Sequence, residues 1–155
     1  MVKTSAGILL YRRGPAGPEV LLVHPGGPFY RSKDAGIWTI PKGEMDHGGE
    51  EPVQVAVREF TEETGGALRG PFRPLTPIVQ KGGKRVLAWA AEGDFEPAAL
   101  RSNTFTLEWP PGSGRMAEFP EVDRAAWYGF PEAREKILAS QRPLLDELEE
   151  LLEQE

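Results

Sequence analysis

Apolar positions come in short runs at the start of the chain. Residues 5–11 (Ser-Ala-Gly-Ile-Leu-Leu-Tyr) and 19–24 (Glu-Val-Leu-Leu-Val-His) bracket Arg13-Gly14-Pro15-Ala16-Gly17-Pro18, whose glycines and prolines mark a turn. A β-hairpin is predicted. Pro25-Gly26-Gly27-Pro28 then opens a polar loop that runs to Gly36. A short apolar piece, Ile37-Trp38-Thr39-Ile40, ends at the loop residues Pro41-Lys42-Gly43. From Pro52 to Thr64 the period changes. Val53, Ala56, Val57 and Phe60 fall at i, i+3, i+4 and i+7, one apolar stripe of a helix. Pro52 suits the first helical turn and Gly65-Gly66 the stop.

Strands are predicted at about 75–80 and 85–91, on either side of Lys81-Gly82-Gly83-Lys84, and at 103–109, where polar and apolar residues alternate. Pro110-Pro111-Gly112-Ser113-Gly114 breaks the chain, and the stretch 108–123 reads as irregular. A last strand around 125–130 leads into a helix beginning near Pro131. A C-terminal amphipathic helix at about 141–154 carries Leu144, Leu145, Leu148, Leu151 and Leu152 on one face. Strands, a helix, more strands and then helices predict an α+β domain, an α/β/α sandwich with the sheet between helices. At 155 residues, one domain is the expectation.

Composition narrows the chemistry. There is no cysteine, so thiolate metal sites and a cysteine nucleophile are excluded. A metal must be held by oxygen or by His24 or His47. No apolar run approaches the roughly 20 residues that span a bilayer, and the N-terminus lacks the apolar segment of a secretory signal. A cytoplasmic protein is expected. The net charge of −6 argues against a broad electrostatic grip on nucleic acid. An anionic substrate stays open, because a divalent cation reverses the sign of a carboxylate-lined site.

Arg58-Glu59-Phe60-Thr61-Glu62-Glu63-Thr64-Gly65 crowds three carboxylates into five positions near a helix C-terminus, where the macrodipole disfavours them. With Glu59 at zero on a helical wheel, Glu63 lies at about +40° and Glu62 at about −60°, so the three share a face. The apolar stripe centres about 110° away, which places the acids at its border. No lysine stands four residues away to relieve the repulsion; position 58 is arginine. A solvated acidic face is one reading. A seat for a hard divalent cation, which needs several carboxylate oxygens, is the other. Upstream, the glycine-bearing segment around Lys42-Gly43 and Gly48-Gly49 suits close approach of backbone amides to phosphate, with Lys42 adding charge.

Taken together, Gly43, Glu50 and Arg58-Glu59-Phe60-Thr61-Glu62-Glu63-Thr64-Gly65 resemble the signature of the Nudix hydrolase (MutT-like) family. That signature runs Gly, five residues, Glu, seven residues, then Arg-Glu-aliphatic-any-Glu-Glu-any-Gly-aliphatic. The match covers residues 43–66 with three departures: six residues separate Gly43 from Glu50, Phe60 replaces the aliphatic, and Gly66 replaces the last one.

The resemblance implies hydrolysis of a nucleoside diphosphate linked to another group, with Mg²⁺ or Mn²⁺ as cofactor. It implies Glu59 and Glu63 as main metal ligands, Glu62 as a further ligand or water-orienting base, and the Gly43 carbonyl as another donor. Glu50 and Arg58 are implied to lock loop to helix through a salt bridge. The family's general base can lie outside the box, which makes Glu108, Glu118 and Glu121 candidates.

Trp38-Thr39-Ile40-Pro41-Lys42-Gly43 is similar to the corresponding segment of family members that act on dinucleoside polyphosphates or inositol pyrophosphates. Lys42, Trp38, Lys84 and Arg85 are therefore expected at the substrate, although Trp38 reads equally as a core residue. Tyr30, Phe105 and Trp109 are candidates for base stacking, and Lys81, Arg31 and Lys33 for outer phosphates. His24 reads as structural, and His47 as a candidate substrate contact. The expected partner is a small nucleotide and the expected state a monomer or homodimer. An RNA pyrophosphohydrolase and a non-catalytic nucleotide-binding module are the rivals.

Overall fold

The computed structural model describes residues 3–46 and 49–155. Strands β1 (Thr4–Gly14) and β2 (Gly17–Pro25) form the predicted hairpin, with Tyr11 opposite Val20. They lie inside a seven-stranded mixed sheet. Strand β3 (Lys42–Glu44) pairs with β1, so Lys42 and Gly43, read from sequence as loop, belong to the sheet. Strands β4 (Arg73–Pro74) and β5 (Ile78–Val79) pair antiparallel with β6 (Arg85–Glu92), which runs parallel to β1. Of the strand expected at 75–80 only β5 is formed, and β4 lies just before it.

Helices cover both faces, which explains why β1 and β2 read as continuous apolar runs rather than alternating ones. On one face Ala6, Ile8, Leu10 and Leu21 meet Val55, Ala56 and Phe60 of α1 (Pro52–Thr64). On the other, Leu9, Val20 and Leu22 pack with α2 (Phe130–Lys136) and with Leu144, Leu145 and Leu148 of α3 (Arg142–Glu153). This is the predicted α/β/α sandwich.

The strand predicted at 103–109 is present, and the stretch expected to be irregular supplies its partner, so the two form a second sheet. Strand β7 (Thr104–Glu108) pairs with β8 (Met116–Pro120) around the proline-glycine break. The turn residues that suggested disorder of the pattern in fact close a hairpin. Strand β9 (Val122–Gly129) returns beside β2, and His24 pairs with Arg124 while Pro25 pairs with Val122. Asp123 is therefore the extra residue of a β-bulge.

Candidate active site

Helix α1 runs over the predicted residues, with Gly65 in the left-handed conformation at its end (φ 80°). Its last carbonyls are satisfied from outside the helix. The Arg101 amide donates to the Thr64 carbonyl at 2.9 Å and the Asn103 amide to the Glu62 carbonyl at 2.7 Å. The strand entry after residue 100 is thereby tied to the acidic end of the helix.

The buried arc of α1 differs from the predicted stripe. Val55, Ala56, Phe60 and Thr64 are buried, while Val53 and Val57 are only half-buried. On the same wheel this arc runs from about −40° at Val55 to about +140° at Thr64. Glu59 and Glu63 stand within it rather than at its border. The Glu59 side chain accordingly keeps 14% of its exposure, against 40% for Glu62.

These acids open into a cavity of about 590 Å³. Its walls are Lys42, Gly43 and Glu44 of β3, Glu59, Glu62 and Glu63 of α1, and Glu121 and Val122 at the start of β9. Lys84, Asn103, Thr39 and Ser5 also line it, with Val23 and Pro25 of β2. The Lys42 amide donates to Glu63 Oε1 at 3.3 Å. Gly43 lies directly under Glu59, and a Cβ there would collide with the Glu59 carboxyl group. Only glycine leaves that carboxylate its place.

Burial pushes the Glu63 carboxyl up to about 8; the Lys42 amide opposes this, and the nearby Glu59 and Glu121 charges add to it. Burial also raises Glu59, helped by Glu62 and opposed by Arg58. Lys42 is pushed down, again mainly by burial. A desolvated group of acids whose charges repel is relieved by a cation, and the donors are hard oxygens that suit Mg²⁺ or Mn²⁺. Among the described residues no three acidic or imidazole groups stand at cation-holding spacing as they lie. Glu59 and Glu62 are instead drawn to Arg58 Nη1, at 3.3 and 3.2 Å.

Arg58 also meets Glu50, at 2.9 Å from Nη2 and 3.3 Å from Nε. With no lysine four residues away, it is Arg58 that pairs with Glu62 one turn along the helix. Hydrogen bonds to Glu50 and then to Glu62 raise the Arg58 pKa.

Other expected residues lie elsewhere. Trp38 is 2% exposed and sits in the core, its Nε1 donating to Asp34 at 2.8 Å and its ring edge-on to Tyr128. It does not line the cavity, and neither does the exposed Arg85. Of the base candidates only Glu121 does; Glu108 accepts the Gly112 amide in the β7–β8 turn, and Glu118 is exposed on β8. Tyr30, Phe105, Trp109, Lys81, Arg31 and Lys33 are likewise outside the lining, and His47 falls outside the described residues. Asn103, Thr39 and Ser5 were not anticipated. Each sits in or beside a strand, and nothing local distinguishes it from a solvent-facing polar residue.

Comparison with known proteins agrees with this architecture. The NUDIX domain profile matches residues 1–148. An 8-oxo-(d)GTP phosphatase of Mycolicibacterium smegmatis is 36% identical over 70% of this chain, which spans 32% of that protein's length. An RNA pyrophosphohydrolase of Brucella anthropi is 28% identical over 72% of this chain and 67% of its own length. Among solved structures, a binary complex of C. elegans Ap4A hydrolase superposes with a TM-score of 0.69 at 22% identity, covering 97% of this chain and 99% of that one. That last likeness is one of fold.

Proposed function

The chain belongs to the NUDIX family, and from that premise we propose that it is a divalent-metal-dependent pyrophosphohydrolase. It cleaves a phosphoanhydride bond of a nucleoside diphosphate linked to another group. One observation carries the reading: Glu59, Glu62 and Glu63 of one helix meet Glu121, from a distant part of the chain, in one cavity that also holds Lys42 and Lys84.

Glu59 and Glu63, with Glu62 and the Gly43 carbonyl, are the residues that would hold Mg²⁺ or Mn²⁺. When bound, the cation neutralises phosphate charge and activates water for attack at phosphorus. Glu121, which lines the same cavity, would orient that water and take its proton. Lys42 and Lys84 supply positive charge for the phosphates. Arg58 keeps Glu59 and Glu62 in position while tying the helix to Glu50.

Dinucleoside polyphosphates and (d)NTPs are the favoured substrates. The name of the mycobacterial relative supports the second. The name of the Brucella relative keeps RNA 5′ ends as the alternative. The test is a hydrolysis panel with Mg²⁺ or Mn²⁺ against diadenosine polyphosphates, (d)NTPs including 8-oxo-dGTP, ADP-ribose, NADH and 5′-triphosphorylated RNA. Cleavage that stops with EDTA, and that a folded Glu63→Gln variant loses by orders of magnitude, is the expected result. Near-normal turnover in that variant would refute the metal assignment. Absence of cleavage across the panel favours the binding module.

A further inference from the structure

His24 is fully buried and takes no part in the chemistry above. Its Nδ1 lies 2.7 Å from Asp123 Oδ1 and its Nε2 lies 2.7 Å from the Lys33 carbonyl oxygen. A carbonyl only accepts, so Nε2 carries a proton. A neutral ring would then aim the bare lone pair of Nδ1 at a carboxylate, two acceptors facing one another. A second proton must lie between Nδ1 and Oδ1.

Asp123 is the extra residue of the β9 bulge, the one whose neighbours Val122 and Arg124 pair with Pro25 and His24. A strand that loses such a residue shifts by one, and every side chain beyond it moves to the opposite face. Glu121 is two residues away, its carbonyl accepting the Gly26 amide at 2.9 Å. The bulge lies between Glu121 and the regular part of β9, next to Val122, which lines the cavity with Glu121. The Lys33 end of the latch anchors the loop after β2 at the same point.

We propose that His24, with both ring nitrogens protonated, is a positioning residue that pins the Asp123 bulge and so aims Glu121 into the catalytic cavity. The role assigned to Glu121 rests on the proposed hydrolase reading; the protonated latch does not. The charged groups around His24 are few. Asp123 faces it from β9, and Arg124 stands 3.8 Å from Asp123 with its guanidinium over Trp38. The edge of Trp38 packs on the imidazole, and beyond it Asp34 pairs with Lys136. Lys33 offers only its carbonyl, its ammonium standing over Tyr30.

Substituting Asp123 tests this without emptying the core. In Asp123→Asn the side-chain amide donates to Nδ1 of a neutral imidazole, so the same geometry forms with one proton fewer. Nitrogen-15 NMR of the imidazoles in metal-free protein reads the protonation directly, a His47→Gln variant assigning the two rings. Two protonated nitrogens on His24 at neutral pH are expected in the wild type, and one in Asp123→Asn. A single protonated nitrogen in the wild type overturns the latch.

Turnover of Ap4A and 8-oxo-dGTP with Mg²⁺ reads the positioning. A folded Asp123→Ala variant should lose kcat on the order of 10²-fold with KM little changed, the same loss that is expected of Glu121→Gln. The double variant should be no worse than either. Independent, additive losses, or normal turnover in Asp123→Ala, overturn the positioning role. If Glu121→Gln alone is fully active, the base assignment fails and the aiming role fails with it, while the NMR result still decides the latch.

Discussion

The Glu59 carboxylate rests against the Cα of Gly43, in space that a methyl group at that position would occupy. Strand β3 and helix α1 thus touch at the centre of the cavity, one through the absence of a side chain. Gly43→Ala should spare the fold, because the obstructing atoms are the far end of a flexible glutamate. It should weaken Mg²⁺ affinity on the order of 10–100-fold. Isothermal titration with Mg²⁺ alongside a thermal melt separates the two effects; an unchanged affinity would count against Glu59 as a ligand.

Burial holds the Glu63 carboxyl at about 8, far above an ordinary carboxylate. The folded protein therefore keeps this proton over a pH range in which the unfolded chain has lost it. The group's contribution to stability is present in mild acid and is lost as pH rises towards 8. Melting of the metal-free protein from pH 5 to pH 9 should show this decline. Glu63→Gln should flatten it, and Mg²⁺ should offset it most at the alkaline end.

Arg58 is about a third exposed, as is its partner Glu50. Exposed ion pairs contribute little to folding, so Arg58→Ala should cost only about 0–1 kcal/mol in denaturant unfolding. Its effect on kcat should be much larger, because the carboxylates of Glu59 and Glu62 lose the group that orients them. A variant whose stability falls steeply while kcat holds would make Arg58 a purely structural residue.

Trp38→Phe addresses the expectation that this residue meets substrate. Its indole N–H bonds Asp34 and its ring packs among Tyr128, His24 and the inner core. The substitution should destabilise the protein by about 1–3 kcal/mol through lost packing and the lost indole hydrogen bond. KM for a nucleotide substrate should be unaltered in the folded fraction.

How far the chain can be read without its fold varies by element. Helix α1 was legible to the residue because its signals are local: proline in the first turn, glycine at the stop, and a period that no strand shares. Glu59, Glu62 and Glu63 were legible for the same reason, since residues three and four apart on a helix share a face. Strand β8 was not, because a proline-glycine break marks a turn without saying whether a strand follows it. Val55 was missed because its burial comes from the sheet beneath α1, and no helical wheel contains that neighbour.

By itself, then, the sequence determined the hairpin of β1 and β2, the carboxylate helix and the Gly43-to-Gly65 frame that resembles a known family, all of them set by residues close along the chain. Only the tertiary structure decided that Glu121 rather than Glu108 or Glu118 joins the acids, that Trp38 is core, and that Lys84 lines the cavity while Arg85 does not. Those outcomes depend on strand register and on which loops the closed sheet brings together. The physical reason is range: capping and periodicity act over a few residues, whereas a contact such as that of His24 with Asp123, 99 positions apart, exists only once the sheet has closed.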